Sequence, residues 1–481
     1  MNQIFTDLTG ILESILFFDI FFGLVEGAKV PFVVALLIFG GIYLTLKFNF
    51  INLRMFAHSF KIIMGKYKTK DDKGIIEPRQ SLTTALSATV GLGNIAGVAI
   101  AITLGGPGAT FWMIAAGFLG MTLKFTEVTL SLKYREFLPD GTIIGGGMGY
   151  LNKGLAEKGF LKTGKMFAGM FALFLIGGAI GGGNTFQVSQ ALGAVSNEIV
   201  FFKEYPWVFG IVVALLTGFV IIGGVKRIAQ TTEKIVPLMV GVYMIASLFV
   251  LIVNFDKLPI AINDIFVGAF TPSGVEGGVI GVIVQGFQRA VFSSEAGLGS
   301  APIAHSTAKV KYPVRQGMVA LYEPFIDTII VCTMTALVII TTNVCDPNGS
   351  FCMLMETKNG SGLTAEAFRT VIWWFPAVLS FSIFMFAFST LIGWSYYGEI
   401  AWAYLFGTKT IMVYKIIFLS FIVIASIVDT STMVDFASIL FLAMAIPNII
   451  GLLVMSNDVK NMLNEYLVKL KSGELDREVI E

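Results

Sequence analysis

Apolar residues run along this chain in long blocks separated by short polar connections. A bilayer core is crossed by about 20 consecutive apolar residues in a helix. Eleven blocks meet that length or nearly so: 30–47, 81–104, 109–134, 166–196, 207–224, 232–254, 276–304, 314–342, 370–406, 410–428 and 433–455. The ninth is too long for one perpendicular crossing, so it is tilted or extends past the membrane. Residues 11–26 are different. Apolar stretches alternate there with the acids Glu13 and Asp19, the pattern of an amphipathic helix lying on a membrane surface. The pattern predicts an N-terminal amphipathic segment at 1–29, a transmembrane domain at 30–455 and a tail at 456–481 in the cytoplasm. Because acids precede any Lys at the N-terminus, a secretory signal is not expected.

Composition agrees with that pattern. Of 481 residues, 55% are hydrophobic and 14% are charged, where soluble domains carry about 25% charged residues. The formal net charge of +1 gives no reason to expect a nucleic-acid partner. Charge does set orientation. With the N-terminus outside and eleven crossings, only Lys29, Lys203, Lys257, Lys358 and Arg369 fall outside, and Lys124 and Arg289 fall within spans. The remaining 26 of the 33 basic residues are cytoplasmic. That bias follows the positive-inside rule. A multi-pass protein of the cell membrane is expected, with its C-terminus in the cytoplasm.

Two spans are interrupted in the same way. The second carries Val90-Gly91-Leu92-Gly93-Asn94 and the seventh Ala296-Gly297-Leu298-Gly299-Ser300, with Gly-Leu-Gly 206 residues apart. Each is the first helix of a five-helix set, and the two sets enter the membrane from opposite sides. Glycine weakens a helix by about 1 kcal/mol relative to Ala. Backbone freed at membrane depth is tolerated only where a ligand, an ion or water satisfies it. Paired broken helices in inverted repeats therefore point to a carrier with a binding site midway through the bilayer. The glycines of 177–183 read instead as close helix packing.

Polar groups within spans are costly and usually have a task. Asn94 sits in the first break; Arg289, Ser293, Ser294 and Glu295 surround the second. Asn184, Gln187 and Gln190 share a helix face. Ser389 and Thr390 are adjacent, with Trp394 a turn later, and adjacent hydroxyls suit a hard monovalent cation or simply bond back to helix carbonyls. Glu127, Asp327 and Glu399 read equally as packing ion pairs with basic residues or as coupling groups. Phe292 stands out among 43 Phe only because it precedes the second break. Cys332 lies in an apolar run and reads as buried and inert. Cys345 and Cys352 share a polar loop and read as free thiols, or as a disulfide if that loop faces an oxidising space. No Ser/His/Asp set, Cys/His pair or metal cluster is available within the spans, so an enzyme is not expected, nor a metal other than a coupling ion, nor any cofactor. The rival class is a channel, which needs a continuous polar pore.

Thr89 to Ala99 (TVGLGNIAGVA), Gly105-Gly106-Pro107-Gly108-Ala109, Phe111-Trp112-Met113, Arg289 to Ala304 (RAVFSSEAGLGSAPIA), Arg315-Gln316-Gly317, Gly393 to Glu399 (GWSYYGE) and Ala445-Ile446-Pro447-Asn448 together resemble the alanine or glycine:cation symporter family. The resemblance runs from about residue 30 to 455. It implies an all-α membrane fold of the leucine-transporter type with one extra N-terminal helix. It also implies sodium-driven or proton-driven import of alanine, glycine or a similar amino acid; glutamine is the alternative. On this chain the implied substrate site is Gly91, Leu92, Gly93, Asn94, Gln187, Phe292, Ser293, Ser294, Gly297 and Trp394. The implied sodium site is Ser87, Val90, Ser389 and Thr390. Substrate, sodium ion and lipid are the implied partners, with no obligate protein partner. Leu92 and Ser294 depart from relatives that carry Thr and Asn there, which bears on substrate identity.

Overall fold

The structure, a computed structural model, describes residues 29–139, 141–271, 275, 277–344, 356 and 358–478, with parts of 7–20. Most of the amphipathic N-terminal segment, and Cys345 and Cys352, lie outside the described residues. Helices dominate. In chain order the principal ones are α1 (Phe32–Lys47), α2 (Pro78–Thr89), α3 (Val98–Gly105), α4 (Ala109–Tyr134), α5 (Leu161–Ile180), α6 (Phe186–Glu198), α7 (Pro206–Ile221), α8 (Gly224–Val253), α9 (Leu258–Phe270), α10 (Gly278–Ser294), α11 (Pro313–Ala320), α12 (Thr333–Thr342), α13 (Gly360–Arg369), α14 (Phe375–Phe406), α15 (Ile411–Ala425), α16 (Thr430–Ala443) and α17 (Ala445–Lys471).

Among the described residues, seven continuous helical stretches are long and apolar enough to cross a membrane: 109–134, 161–198, 224–253, 313–342, 375–406, 408–425 and 430–471. The pair α2 and Gly93–Gly105 makes an eighth, bent by 53° at its break. Shorter apolar helices are α1 and α7. The expected ninth span, 370–406, is a helix only from Phe375; at about 1.5 Å per residue its 32 residues reach roughly 48 Å, which accounts for its length. The last crossing does not stop at 455, because α17 continues through Lys471 and carries the tail with it. Leu258–Phe270, within the stretch expected as an outer connection, is a separate helix.

Two packing centres organise the bundle. Helix α4 is flanked by α1, α10 and α11, and α14 by α2, α5, α6 and α8. The broken helices lie between them. Glycines set the closest approaches, as the 177–183 run illustrates: an added Cβ at Gly183 would meet Trp394 Cγ at 2.3 Å, and at Gly182 would meet Phe441 Cδ2 at 2.3 Å. Near the start of α4, Gly108 crosses Gly268 backbone to backbone, and a Cβ on Gly108 would fall 2.1 Å from the Gly268 carbonyl carbon. Neither backbone can rotate away, and overpacking of this kind costs about 1–3 kcal/mol. Gly108→Ala is therefore expected to lower the thermal midpoint of detergent-solubilised protein. Gly169→Ala, where a Cβ meets nothing within 4 Å, should leave it unchanged.

At one end of the bundle, the short helix Phe56–Ile63 docks on the extension of α17. His58 hydrogen-bonds the Tyr466 hydroxyl at 2.9 Å, with the Tyr67 ring tilted against it at 4.9 Å. Burial, reinforced by the positive charges of Lys61 and Arg315 and opposed by Asp476, pushes the His58 imidazole down to about 4. An unconstrained imidazole takes up its proton near 6.5. The neutral ring thus favours docking above 6.5, and this contribution falls away as pH drops from 6.5 through 4. Hydrogen exchange in residues 456–478 is expected to speed up at pH 5 relative to pH 7, after correction for intrinsic rates, and His58→Phe should remove the difference.

Candidate functional site

Both glycine-rich stretches are breaks. Helix α2 ends at Thr89, Val90 leaves helical geometry at ψ 88°, and helix resumes as a π-turn over Gly93–Gly97. The freed N–H groups are satisfied by side chains: Gly91 N–H donates to Asn94 Oδ1 at 2.9 Å and Leu92 N–H donates to Gln187 Oε1 at 3.1 Å. Gln187 in turn donates to the Gly182 carbonyl at 2.9 Å. Two adjacent main-chain donors facing amide oxygens form a place where a carboxylate oxygen can be received.

The second break follows Ser294. Glu295, Gly297 and Gly299 have φ of 57°, 88° and 78°. Glycine adopts these angles freely, but for Glu295 the left-handed conformation costs about 1–2 kcal/mol, so its contacts must hold it. They do: its carboxylate accepts from Trp394 Nε1 at 2.8 Å and from Ser300 Oγ.

The two breaks touch. A Cβ at Gly93 would lie 3.0 Å from Ser293 Cα. Beside that contact stands Asp327, in the π-helical turn Phe325–Cys332. Its carboxylate accepts from Asn94 Nδ2 at 2.7 Å, Ser293 Oγ at 2.8 Å and Thr328 Oγ1 at 2.8 Å. Cys332 Sγ lies 3.4 Å from Asn94 Nδ2 and 3.3 Å from Ser293 Oγ. Asp327 was expected as a packing ion pair or a coupling group. All three of these hydrogen-bond partners are neutral, and among the described residues Asp327 forms no close ion pair; the Lys124 ammonium acts on it only at longer range. Glu399, with the same expectation, does form an ion pair, with Lys415 at 3.1 Å.

Of the residues expected at the substrate site, Gly91, Leu92, Gly93, Asn94, Gln187 and Ser293 come together around the first break. Phe292 joins them through an aromatic wall, its ring 4.7 Å from both Phe186 and Phe441. Trp394 extends that wall, 4.6 Å from Phe441. Ser294 and Gly297 point elsewhere. Ser294 Oγ bonds back to the Ala290 carbonyl at 2.9 Å. The α-carbon of Gly297 faces Leu37, Leu123 and Ile449, and its carbonyl accepts from Asn448 at 2.8 Å.

The expected sodium residues also lie together. Ser389 Oγ and Thr390 Oγ1 lie 3.3 and 3.4 Å from the Ser87 carbonyl. A Cβ on Gly91 would come within 2.2 Å of Thr390 Oγ1. Val90 is buried at the end of α2, and its N–H donates to the Leu86 carbonyl at 2.7 Å. This concentration of neutral oxygens beside a helix break has the chemistry of a site for a hard monovalent cation.

Sequence reasoning weighed Asp327 without naming it as a ligand, and set Cys332 aside as inert. One signal was present: no basic residue stands three or four positions from Asp327 to pair with it.

Two interlocked broken helices in an apolar helical bundle, with main-chain donors, a buried carboxylate and hydroxyl oxygens at their junction, define the secondary carrier class of membrane proteins. The sodium:alanine symporter family model matches residues 17–480, and the chain belongs to that family. It is 40% identical over 430 residues to the sodium/alanine symporter AgcS of Methanococcus maripaludis, covering 89% of this chain and 92% of that one. It is 32% identical over 476 residues to the probable sodium/glutamine symporter GlnT of Bacillus subtilis, covering 98% and 93%. Among solved structures, MhsT in complex with L-phenylalanine aligns with a TM-score of 0.50 at 12% identity, over 80% of this chain and 99% of that one, a likeness of fold alone.

Proposed function

We propose that the protein imports a small neutral amino acid, alanine or glycine, together with sodium across the cell membrane, by alternating access. Eleven crossings arranged as two inverted five-helix repeats behind one extra helix, with the N-terminus outside, fit this reading and the distribution of Lys and Arg. The observation that carries it is the contact of the two breaks at Gly93 and Ser293, with Gly91 and Leu92 offering main-chain donors beside it.

In this reading the substrate carboxylate displaces the amide oxygens of Asn94 and Gln187 from those donors. Asp327 supplies the opposite charge to the substrate ammonium or to a cation beside it. Sodium lies among Ser87, Ser389 and Thr390, with Val90 contributing its carbonyl, and braces the first break against α14. Phe292 and Trp394 bound the side-chain space, which favours alanine and glycine over larger substrates. Sodium entry supplies about 2.3 kcal/mol per 100 mV, enough for roughly fifty-fold accumulation before the concentration gradient is counted.

The test is uptake of labelled alanine, glycine and glutamine into proteoliposomes, with and without an inward sodium gradient. The reading predicts saturable, concentrative uptake of alanine or glycine that stops when the gradient is collapsed with an ionophore. Glutamine as the preferred substrate would revise the substrate assignment. Flux that neither saturates nor concentrates solute would favour the channel. In the same assay, joint Ser389→Ala and Thr390→Ala substitution is expected to raise the half-saturating sodium concentration at least tenfold; no change would displace the ion site.

A further inference from the structure

Beneath the second break lies a buried ionic cluster that the proposed substrate and sodium sites do not use. Lys124 and Glu127 project from α4, Glu295 from the break, and His305 and Glu323 from the segments that follow; all five are buried. Lys124 interacts with Glu323, Glu295 and Glu127, and its ammonium lies 3.1 Å from Glu323. His305 bonds the other Glu323 oxygen. The charge of Glu127 acts on the Tyr150 phenol, those of Glu295 and Glu323 act on the Tyr397 phenol, and that of Lys124 acts on Asp327. Four carboxylates therefore draw on one lysine, and one of them, Glu323, also has the histidine; three of the four, Glu127, Glu295 and Glu323, lie in the cluster itself. Burying several like charges with too few counter-charges is costly, and the usual resolution is that one of them takes a proton.

Hydrogen bonds and close ion pairs together distinguish the three cluster glutamates: Glu127 Oε2 and Glu323 Oε2 both lack a hydrogen-bond donor among the described residues, but only the Glu323 oxygen has an ammonium within 4 Å. Glu295 has a donor on each oxygen, from Trp394 and Ser300. Glu323 has His305 on one oxygen and the Lys124 ammonium facing the other. Glu127 is lopsided. Its Oε1 accepts from Asn448 Nδ2 at 2.6 Å and from the Gly299 N–H at 3.1 Å. Its Oε2 is buried without a hydrogen-bond partner among the described residues. A carboxylate spreads its charge over both oxygens and would leave half of it unsolvated there; a carboxylic acid needs less.

Glu127 ties the second break to α17: one of its donors belongs to each. Gly299 belongs to the second break, and Asn448 also accepts from Tyr150 and donates to the Gly297 carbonyl at 2.8 Å. Eight residues further along α4, or about 12 Å at 1.5 Å per residue, Arg135 grips the Ser306 and Ala308 carbonyls at 2.7 and 2.8 Å. Residues 299–308 are thus fastened at one end to Glu127 of α4 and at the other to Arg135, the residue that follows α4. In the alternating-access reading, an opening of the second break toward the cytoplasm that parts Gly299 from Glu127 admits water to its carboxyl.

We propose that Glu127 is a proton-binding site: it holds a proton while the second break is closed and gives that proton to cytoplasmic water when the break opens. The O–H bond at Oε2 breaks, the carboxylate stays behind, and the site is reprotonated once the break faces the outer medium. The inference rests on the alternating-access reading above and adds a proton to the ions that move in each cycle.

Infrared spectroscopy of the lipid-reconstituted protein tests the site without any transported solute. At neutral pH the protein is expected to show a protonated-carboxyl C=O stretch that Glu127→Gln lacks and that Glu295→Gln and Asp327→Asn retain. A wild-type spectrum without that band, or an equal band in Glu127→Gln, overturns the proposal. Should Glu127→Gln fail to fold, Glu127→Asp decides instead: a band that belongs to Glu127 should shift in frequency in that variant, and an unshifted band overturns the proposal. Movement is tested with a pH-sensitive dye inside alanine-transporting proteoliposomes. The lumen should acidify in step with uptake, and uptake without acidification overturns the coupled proton. A normal infrared band with no uptake of any amino acid would instead sink the symport reading and leave the proton site standing.

Discussion

Replacing Asp327 with alanine is expected to cut substrate uptake at least about a hundredfold. The carboxylate is the common acceptor for Asn94, Ser293 and Thr328, at 2.7, 2.8 and 2.8 Å. Each buried donor left without its acceptor costs about 1–3 kcal/mol. Two of those donors tie one broken helix to the other, so the loss falls on the geometry that forms the site. A combined penalty near 3 kcal/mol corresponds to roughly a hundredfold in affinity. Asp327→Asn separates two roles. It keeps the shape and an acceptor oxygen but removes the charge. If Asp327 meets a substrate ammonium or a cation, the amide should be nearly as damaging as alanine. If it is only a strut, the amide should restore most of the activity. Initial uptake rates across a range of sodium and alanine concentrations read out the difference.

Gly91→Ala is expected to raise the half-saturating sodium concentration by at least tenfold and to lower maximal uptake. The added methyl would arrive 2.2 Å from Thr390 Oγ1 and 3.3 Å from both Thr390 Cβ and Gln187 Oε1. Threonine is stiff about its first side-chain torsion, so its hydroxyl escapes only by turning away from Ser87. The alternative is for the first break to back away from α14. Either response disperses the oxygens assigned to sodium. Gly97→Ala, at the end of the π-turn that follows the break and with nothing within 4 Å of a Cβ, should remain close to wild type in sodium titrations. Equal behaviour of the two variants would mean that the Gly91–Thr390 contact is not functional.

The first break was legible because its cause is local. Gly91, Gly93 and Asn94 interrupt an apolar run, and few purposes other than ligand binding excuse freed backbone at membrane depth. Cooperation between Asn94 and Asp327 was not legible. They are 233 residues apart, and the π-turn at Phe325–Cys332 shifts Asp327 away from the face that a regular 3.6-residue period assigns it. Ser293 and Ser294 show the limit most simply. Adjacent residues on a helix point about 100° apart, so one reaches Asp327 while the other bonds its own helix. No pattern of residue types tells which serine faces inward when both neighbours are alike. Glycine roles divide the same way: Gly93 and Gly299 are the second glycines of the two Gly-Leu-Gly motifs, yet one faces the opposite break and the other Asn448 and Phe171. The membrane class was fixed by bulk hydrophobicity. The extent of the last helix was not, since α17 passes from apolar to polar sequence without a helix-breaking residue before Ser472 and Gly473.

The central claim is that the backbone of both breaks closes on one substrate. Hydrogen–deuterium exchange of the reconstituted protein measures this at residues 90–97 and 295–301, with sodium alone and with sodium plus saturating alanine. The account predicts that alanine slows exchange in both segments together, over the same concentration range that saturates uptake. Saturating transport with unchanged exchange in both segments would contradict it.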